Sequence, residues 1–85
     1  QENIVKMQVV WNSEDTPALP EGLQVLHTSH VGRVYTYIIR GRAEDIKGRM
    51  ALLSPLMMEA LPLSLEEIFI YELGGEQYAV KEIIL

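Results

Sequence analysis

The side chains that could do chemistry are few in this chain, and their spacing does not assemble a reactive group. His27 and His30 stand three residues apart. On an extended strand this spacing turns the two imidazoles to opposite faces, so they cannot readily hold one metal ion. We therefore expect two ordinary strand or turn histidines and no metal site.

Glu66 and Glu67 form an acidic pair, and paired carboxylates sometimes perform acid/base work. Here the pair follows Ser64, which stands where a helix N-cap belongs, with Glu67 three residues on to complete a capping box. Negative charge in the first turn also suits the helix dipole. Capping explains both acids, so we expect no catalytic role for them.

Other catalytic signatures are missing from the sequence. There is no cysteine to act as a thiol nucleophile, and no serine stands in a GxSxG elbow. There is no GxxxxGK[ST] phosphate loop, and no GxGxxG follows a strand. We therefore expect no catalytic residue and no cofactor site in these 85 residues, which makes a small free-standing enzyme the weakest interpretation.

Composition indicates one small domain that does not bind polyanions. The net charge is −5, from 12 acidic and 7 basic residues, which argues against nucleic acid and anionic membrane surfaces as partners. We expect the basic residues of the middle third to form an ion-paired, solvated surface; they are Arg33, Arg40, Arg42, Lys47 and Arg49. No apolar run reaches the roughly 18–20 residues that span a bilayer.

Alternation and turn residues predict four strands. Residues 4–11 alternate apolar and polar side chains, and residues 23–28 and 34–40 are rich in β-branched and aromatic types, with a turn near Val31-Gly32. Residues 12–21, which include two prolines, predict an irregular connection. We assign residues 56–61 to a fourth strand because Pro55 and Pro62 bracket it, although a helix there is also possible from the sequence.

Two helices complete the prediction. Ala43, Ile46, Met50 and Leu53 recur at helical spacing, and Pro55 ends that helix. A second helix over residues 65–73 begins at Ser64 and ends at Gly74, which can adopt positive φ. The order β-β-β-α-β-α predicts an α+β fold with helices on one face of an antiparallel sheet. It is a ferredoxin-like variant whose first helix is replaced by the irregular connection.

The end of the chain is apolar. We assign residues 1–75 to the domain and residues 76–85 to a tail that docks on the domain or on a partner, since it ends in Ile83, Ile84 and Leu85. The first residues, Gln1-Glu2, lead directly into the first strand without a methionine, and we expect a piece of a longer protein.

The text Ser-Leu-Glu-Glu-Ile-Phe at Ser64 to Phe69 resembles the SLEEIF signature near the C-terminus of ABC transporter ATP-binding subunits, especially bacterial exporters of the drug-resistance and ABC-2 type. The likeness covers roughly residues 2–75, where that family carries an accessory region of about this size after its ATPase core. It implies that ATP and Mg²⁺ are bound in an ATPase core outside these residues. The implied partners are that core, a membrane permease and a second copy, at the cytoplasmic face of the cell membrane.

The resemblance moves the expected function to a contact surface. We expect a non-catalytic accessory, regulatory or dimerisation domain whose interface is formed by Ile68, Phe69, Ile70, Tyr71, Ile83, Ile84 and Leu85. Aromatic side chains in desolvated surroundings dominate many interfaces. The alternative is a free-standing ferredoxin-like domain for protein interaction or for sensing a small molecule, with a pocket at Tyr35, Tyr37 and a methionine-lined sheet face.

Overall fold

The computed structural model describes residues 3–12 and 14–74. Four strands, a helix and a closing segment make up the fold. They are β1 (Asn3–Val10), β2 (Gln24–Val31), β3 (Val34–Gly41), α1 (Ala43–Ala51), β4 (Met57–Leu61) and α2 (Leu65–Glu67), which continues as a π-helical stretch, Ile68–Glu72. We call α2 and the π-helical stretch together the closing segment. The predicted tail, including Ile83, Ile84 and Leu85, lies outside the described residues.

The four strands form one antiparallel sheet in the order β2-β3-β1-β4. β3 lies between β1 and β2, and β1 lies between β3 and β4. The unit formed by β1, the connection and β2 therefore interleaves in the sheet with the unit formed by β3, α1 and β4. This is the ferredoxin-like arrangement. The described residues between β1 and β2 contain no helix, which confirms the predicted fold, including the irregular connection in place of the first helix.

The main core lies between the sheet and α1. Alternate side chains of β1 (Val5, Met7 and Val9) and Trp11 just after it face α1, as the period of two predicts, and β3 adds Tyr37 and Ile39. Ile46 and Met50 of α1 cover them, and both are almost fully buried. Met58 packs against this core while its neighbour Met57 is exposed, as expected for adjacent strand positions.

The structure corrects the expected placement of the helices, because the closing segment lies on the sheet face opposite α1. Its Glu67 contacts Lys6, and its Tyr71 lies beside His27. Both strand residues pair with Ile38, whose side chain faces away from the α1 core. The second face of the sheet is therefore partly covered by the chain itself.

Several boundaries also differ from those predicted. β2 continues to Val31, and the turn is Gly32-Arg33. Gly32 has φ 59°, which suits the first central position of a two-residue hairpin turn. α1 ends at Ala51, so Leu53 lies beyond it yet still packs on the core. Met57–Leu61 is a strand, as assigned.

Three of the five basic residues of the middle third take part in ion pairs or carbonyl contacts, and two of these contacts are ion pairs of the kind expected. Arg33 lies 3.6 Å from Glu14, and Lys47 lies 3.9 Å from Glu44. Arg49 donates a 2.8 Å hydrogen bond to the carbonyl oxygen of Glu21 and so ties α1 to the connection before β2. Such exposed pairs contribute little stability.

Candidate functional site

The capping box predicted at Ser64 is present and fixes the start of the closing segment. The Glu67 backbone N–H donates to Ser64 Oγ at 3.1 Å, and the Ser64 backbone N–H donates to Glu67 Oε1 at 2.8 Å. Ser64 has extended backbone angles, φ −71° and ψ 165°, as an N-cap should. At the other end, Gly74 has φ 68°, the left-handed conformation expected of it.

Lys6 connects this cap to the sheet. Its Nζ donates a 3.0 Å hydrogen bond to Glu67 Oε1, the same oxygen that accepts from Ser64. Both side chains are about three-quarters shielded from solvent, at 23% relative exposure each. One carboxylate oxygen therefore both caps the closing segment and holds it against β1. The sequence identified the cap, but it gave no signal for the Lys6 contact, which joins residues 61 positions apart.

The closing segment changes from α- to π-helical geometry after Glu67. The Ile68 backbone N–H donates to the carbonyl of Ser64 at 2.9 Å, whereas the Leu73 N–H donates to the carbonyl of Ile68, five residues back, at 3.2 Å. The prediction of a regular helix over residues 65–73 was therefore correct in position and wrong in winding. π-Helical stretches are rare in proteins, and those that occur often lie at functional sites.

The predicted interface residues lie on different sides of this segment. Ile68, Ile70 and Tyr71 are half-buried, whereas Phe69 is 44% exposed. Leu65 and Leu73, each four residues from Phe69, are 86% and 70% exposed. We call Leu65, Phe69 and Leu73 the outer stripe. Of the predicted interface residues that the structure describes, only Phe69 belongs to the outer stripe, whereas Ile68, Ile70 and Tyr71 form the half-buried inner side of the segment.

A cleft of about 400 Å³ lies between the inner side of this segment and the sheet. Ile4, Leu61 and Ile68 form apolar walls, while Lys6 and Glu72 supply charge at its margin. The Lys6 ammonium is already bonded to Glu67, which leaves few free polar groups in the cleft, and the cleft is widely open to solvent.

The remaining candidate residues do not converge. His27 faces the closing segment, where its ring centroid lies 6.3 Å from that of Tyr71, and His30 stacks on Tyr35 at 4.7 Å on the α1 face. The spacing argument is thus confirmed. Among the described residues, no group of three or more histidines or carboxylates could hold a metal ion. None of the helices in that part of the chain has the length and apolar composition of a membrane span.

The tyrosines expected to line a pocket are instead occupied within the fold. Tyr37 is 2% exposed, and its hydroxyl accepts a 3.0 Å hydrogen bond from Trp11 Nε1. The Tyr35 hydroxyl accepts a 2.8 Å bond from Thr16. The cleft lies on the opposite face of the sheet from these tyrosines, because Lys6 and Ile68, which line it, are on the side of the closing segment.

Comparisons of the chain with protein-family models, with curated proteins and with solved structures give no match.

Acid should loosen the closing segment through Glu67. The Ser64 backbone N–H, and after it Lys6, lower the pKa of the Glu67 carboxyl. A lowered folded-state pKa contributes stability above the unfolded value of about 4.3, and that stability is lost as pH falls through the folded value. We expect faster amide exchange in residues 65–73 of the wild type on going from pH 6 to below about pH 4, relative to the exchange of unstructured peptide.

Glu67→Gln should largely remove this additional acid dependence, whereas Glu66→Gln, which leaves the capping bonds intact, should retain it. Equal acid responses in the two variants would contradict the role given to Glu67.

Proposed function

We propose that this chain is a non-catalytic accessory domain of an ABC transporter ATP-binding subunit, which contacts its own ATPase core through the closing segment. The outer stripe is the observation that carries the proposal. Leu65, Phe69 and Leu73 are exposed on a segment whose backbone is capped at the start and which Lys6 holds to the sheet. Aligned apolar side chains on a fixed element favour a contact surface.

The likeness of Ser64 to Phe69 to the SLEEIF signature supports the assignment to this family. The same residues have a structural role here, because Ser64 and Glu67 cap the segment and Phe69 lies on the outer stripe. In the proposed parent protein, the ATPase core binds ATP and Mg²⁺ and drives a separate permease at the cytoplasmic face of the membrane. The domain described here packs on that core and meets a second copy.

The proposal predicts that the reading frame upstream of this chain encodes a Walker A loop, and that the ATPase region so encoded binds the chain through the outer stripe. Phe69→Ser with Leu73→Ser should weaken that binding by about thirtyfold or more, because the loss of even one buried anchor that contributes on the order of 2 kcal/mol has this effect. Titration calorimetry between the two separately purified parts measures the effect.

Leu52→Ser is the matched control, because Leu52 is 82% exposed just after α1 and is not part of the closing segment. An upstream frame without a Walker A loop would overturn the family assignment. Equal binding by the stripe variant and the control would overturn the role of the stripe.

A second candidate function, sensing a small amphipathic molecule, is favoured by the cleft beneath Ile68. Its volume lies in the range of small-molecule sites and its walls are mainly apolar. A ligand that binds only the folded state raises the melting temperature. This role would be favoured over the first if a small amphipathic molecule raised the melting temperature of the wild type and of the Phe69→Ser, Leu73→Ser variant but not that of Ile68→Ala.

A further inference from the structure

Within the part of the chain that the structure describes, β2 is an unprotected edge of the sheet. It is eight residues long, β3 is its only partner among the described strands, and all its residues are exposed except the half-buried Leu26. The strand contains no proline and no Asp, Glu, Lys or Arg, which are the devices that usually block pairing at an edge. The opposite edge is protected in this way, because β4 has five residues, carries Glu59 and is followed directly by Pro62.

The hairpin determines which backbone groups of β2 face outward. A two-residue turn closes on a hydrogen-bonded pair, here Val31 and Val34. Since pairs alternate along an antiparallel ladder, Ser29 and His27 also direct their backbone groups at β3. The N–H and C=O groups of Thr28 and His30 therefore point to the free edge.

We propose that this edge pairs antiparallel with β2 of a second copy about a two-fold axis at Ser29, which joins the two sheets. Thr28 then lies opposite His30 of the partner subunit. On the other side of the axis, His30 lies opposite the partner's Thr28. Each of these pairs exchanges two backbone hydrogen bonds. The inference rests on the self-association in the proposed function and specifies its geometry.

The register at Ser29 follows from the strand itself. An axis at Thr28 would place His30 opposite the partner's Leu26, where the β2–β3 register shifts between Val25 and His27. An axis at His30 would extend the pairing into the turn at Gly32. Only an axis at Ser29 uses both outward residues of the regular part of β2.

The side chains of β2 itself do not oppose this pairing. His30 is held back over the sheet by its stacking on Tyr35 and by a 3.2 Å contact between its Nδ1 and the carbonyl oxygen of Gly32. Because β2 has no Asp, Glu, Lys or Arg, two copies of it can approach closely.

The absence of cysteine allows a direct test with single cysteine variants of the chain. The axis makes Ser29 and the partner's Ser29 a pair without mutual hydrogen bonds, with Cα atoms about 4.5 Å apart. That distance lies within the range of about 4.4–6.8 Å that a disulfide spans. Ser29→Cys should therefore form a disulfide-linked dimer under mild oxidation, seen on a non-reducing gel.

Thr36→Cys is the matched control, because it is the β3 partner of Ser29 and lies one strand further from the axis. It should stay monomeric on the gel. Adding Thr28→Pro to Ser29→Cys removes an outward N–H that the monomer does not use, and it should abolish the crosslink while circular dichroism shows an unchanged fold.

Equal crosslinking of the Ser29→Cys and Thr36→Cys chains, or a Ser29→Cys crosslink that survives Thr28→Pro, would overturn the edge pairing. So would a wild type that dimerises in light scattering while Ser29→Cys stays uncrosslinked, as expected if the outer stripe joins the copies or the tail covers β2. The family assignment is decided separately by the upstream reading frame, so each proposal can fail without the other.

Discussion

Met50→Ala should lower the free energy of unfolding by about 2–5 kcal/mol, the usual cost of truncating a fully buried long side chain to alanine. Met50 is 0% exposed and joins α1 to the core formed by β1 and β3. A domain of this size has a small core and no disulfide, so the loss is a large part of its total stability. Urea denaturation followed by circular dichroism measures the change.

The matched control for this prediction is Leu52→Ala, two residues further along the chain. Leu52 is 82% exposed, so its truncation should change stability by no more than about 0.5 kcal/mol. Similar losses in the two variants would mean that α1 does not pack on the sheet through Met50.

Tyr37→Phe should lower the free energy of unfolding by about 1–3 kcal/mol, because it leaves the buried Trp11 N–H without an acceptor. Trp11 is 2% exposed, and its Nε1 donates to the Tyr37 hydroxyl at 3.0 Å. Tyr35→Phe is the control, since its partner Thr16 is exposed and can bond water instead. Equal losses in the two variants would contradict a special role for the buried pair.

Tyr37 should also make the free energy of unfolding fall at alkaline pH. Burial raises the pKa of the Tyr37 hydroxyl, and the nearby Tyr35 adds to this, while the bond from Trp11 opposes it. A raised folded-state pKa contributes stability that is fully present below the unfolded value of about 10 and is lost as pH rises through the folded value. Tyr37→Phe should therefore reduce the fall in stability above about pH 10.

Local signals in the sequence were sufficient for most individual elements. The alternation in β1 predicted that Val5, Met7 and Val9 are buried on one face, because successive strand residues face opposite sides of the sheet, but it did not predict that Ile4 is buried on the other face. The capping box at Ser64 was predictable for the same kind of reason, since it satisfies backbone groups within four residues. His27 and His30 were placed correctly by their spacing alone.

Contacts between distant residues could not be read in this way. The same apolar residues of the closing segment suit either face of a sheet, and the Lys6 to Glu67 bond that accompanies docking on the second face leaves no local pattern. The residue types also do not distinguish bonds to the fourth preceding carbonyl from bonds to the fifth, so the π-helical stretch was missed. The predicted end of β2, Thr28, was three residues too early, because Val31-Gly32 was taken as the turn.

The sequence by itself determined the first three strands, the two helical regions, the cap at Ser64 and the separation of the histidines, because each depends on backbone preferences within a few residues. Only the tertiary structure decided which face the closing segment covers, which apolar side chains remain as the outer stripe, and which strand edge the described residues leave open. Those properties depend on which surfaces are already buried by contacts between elements that are distant in the sequence. The exposure of Phe69 and the outward backbone groups of Thr28 and His30 follow from that packing and from the pairing of the strands.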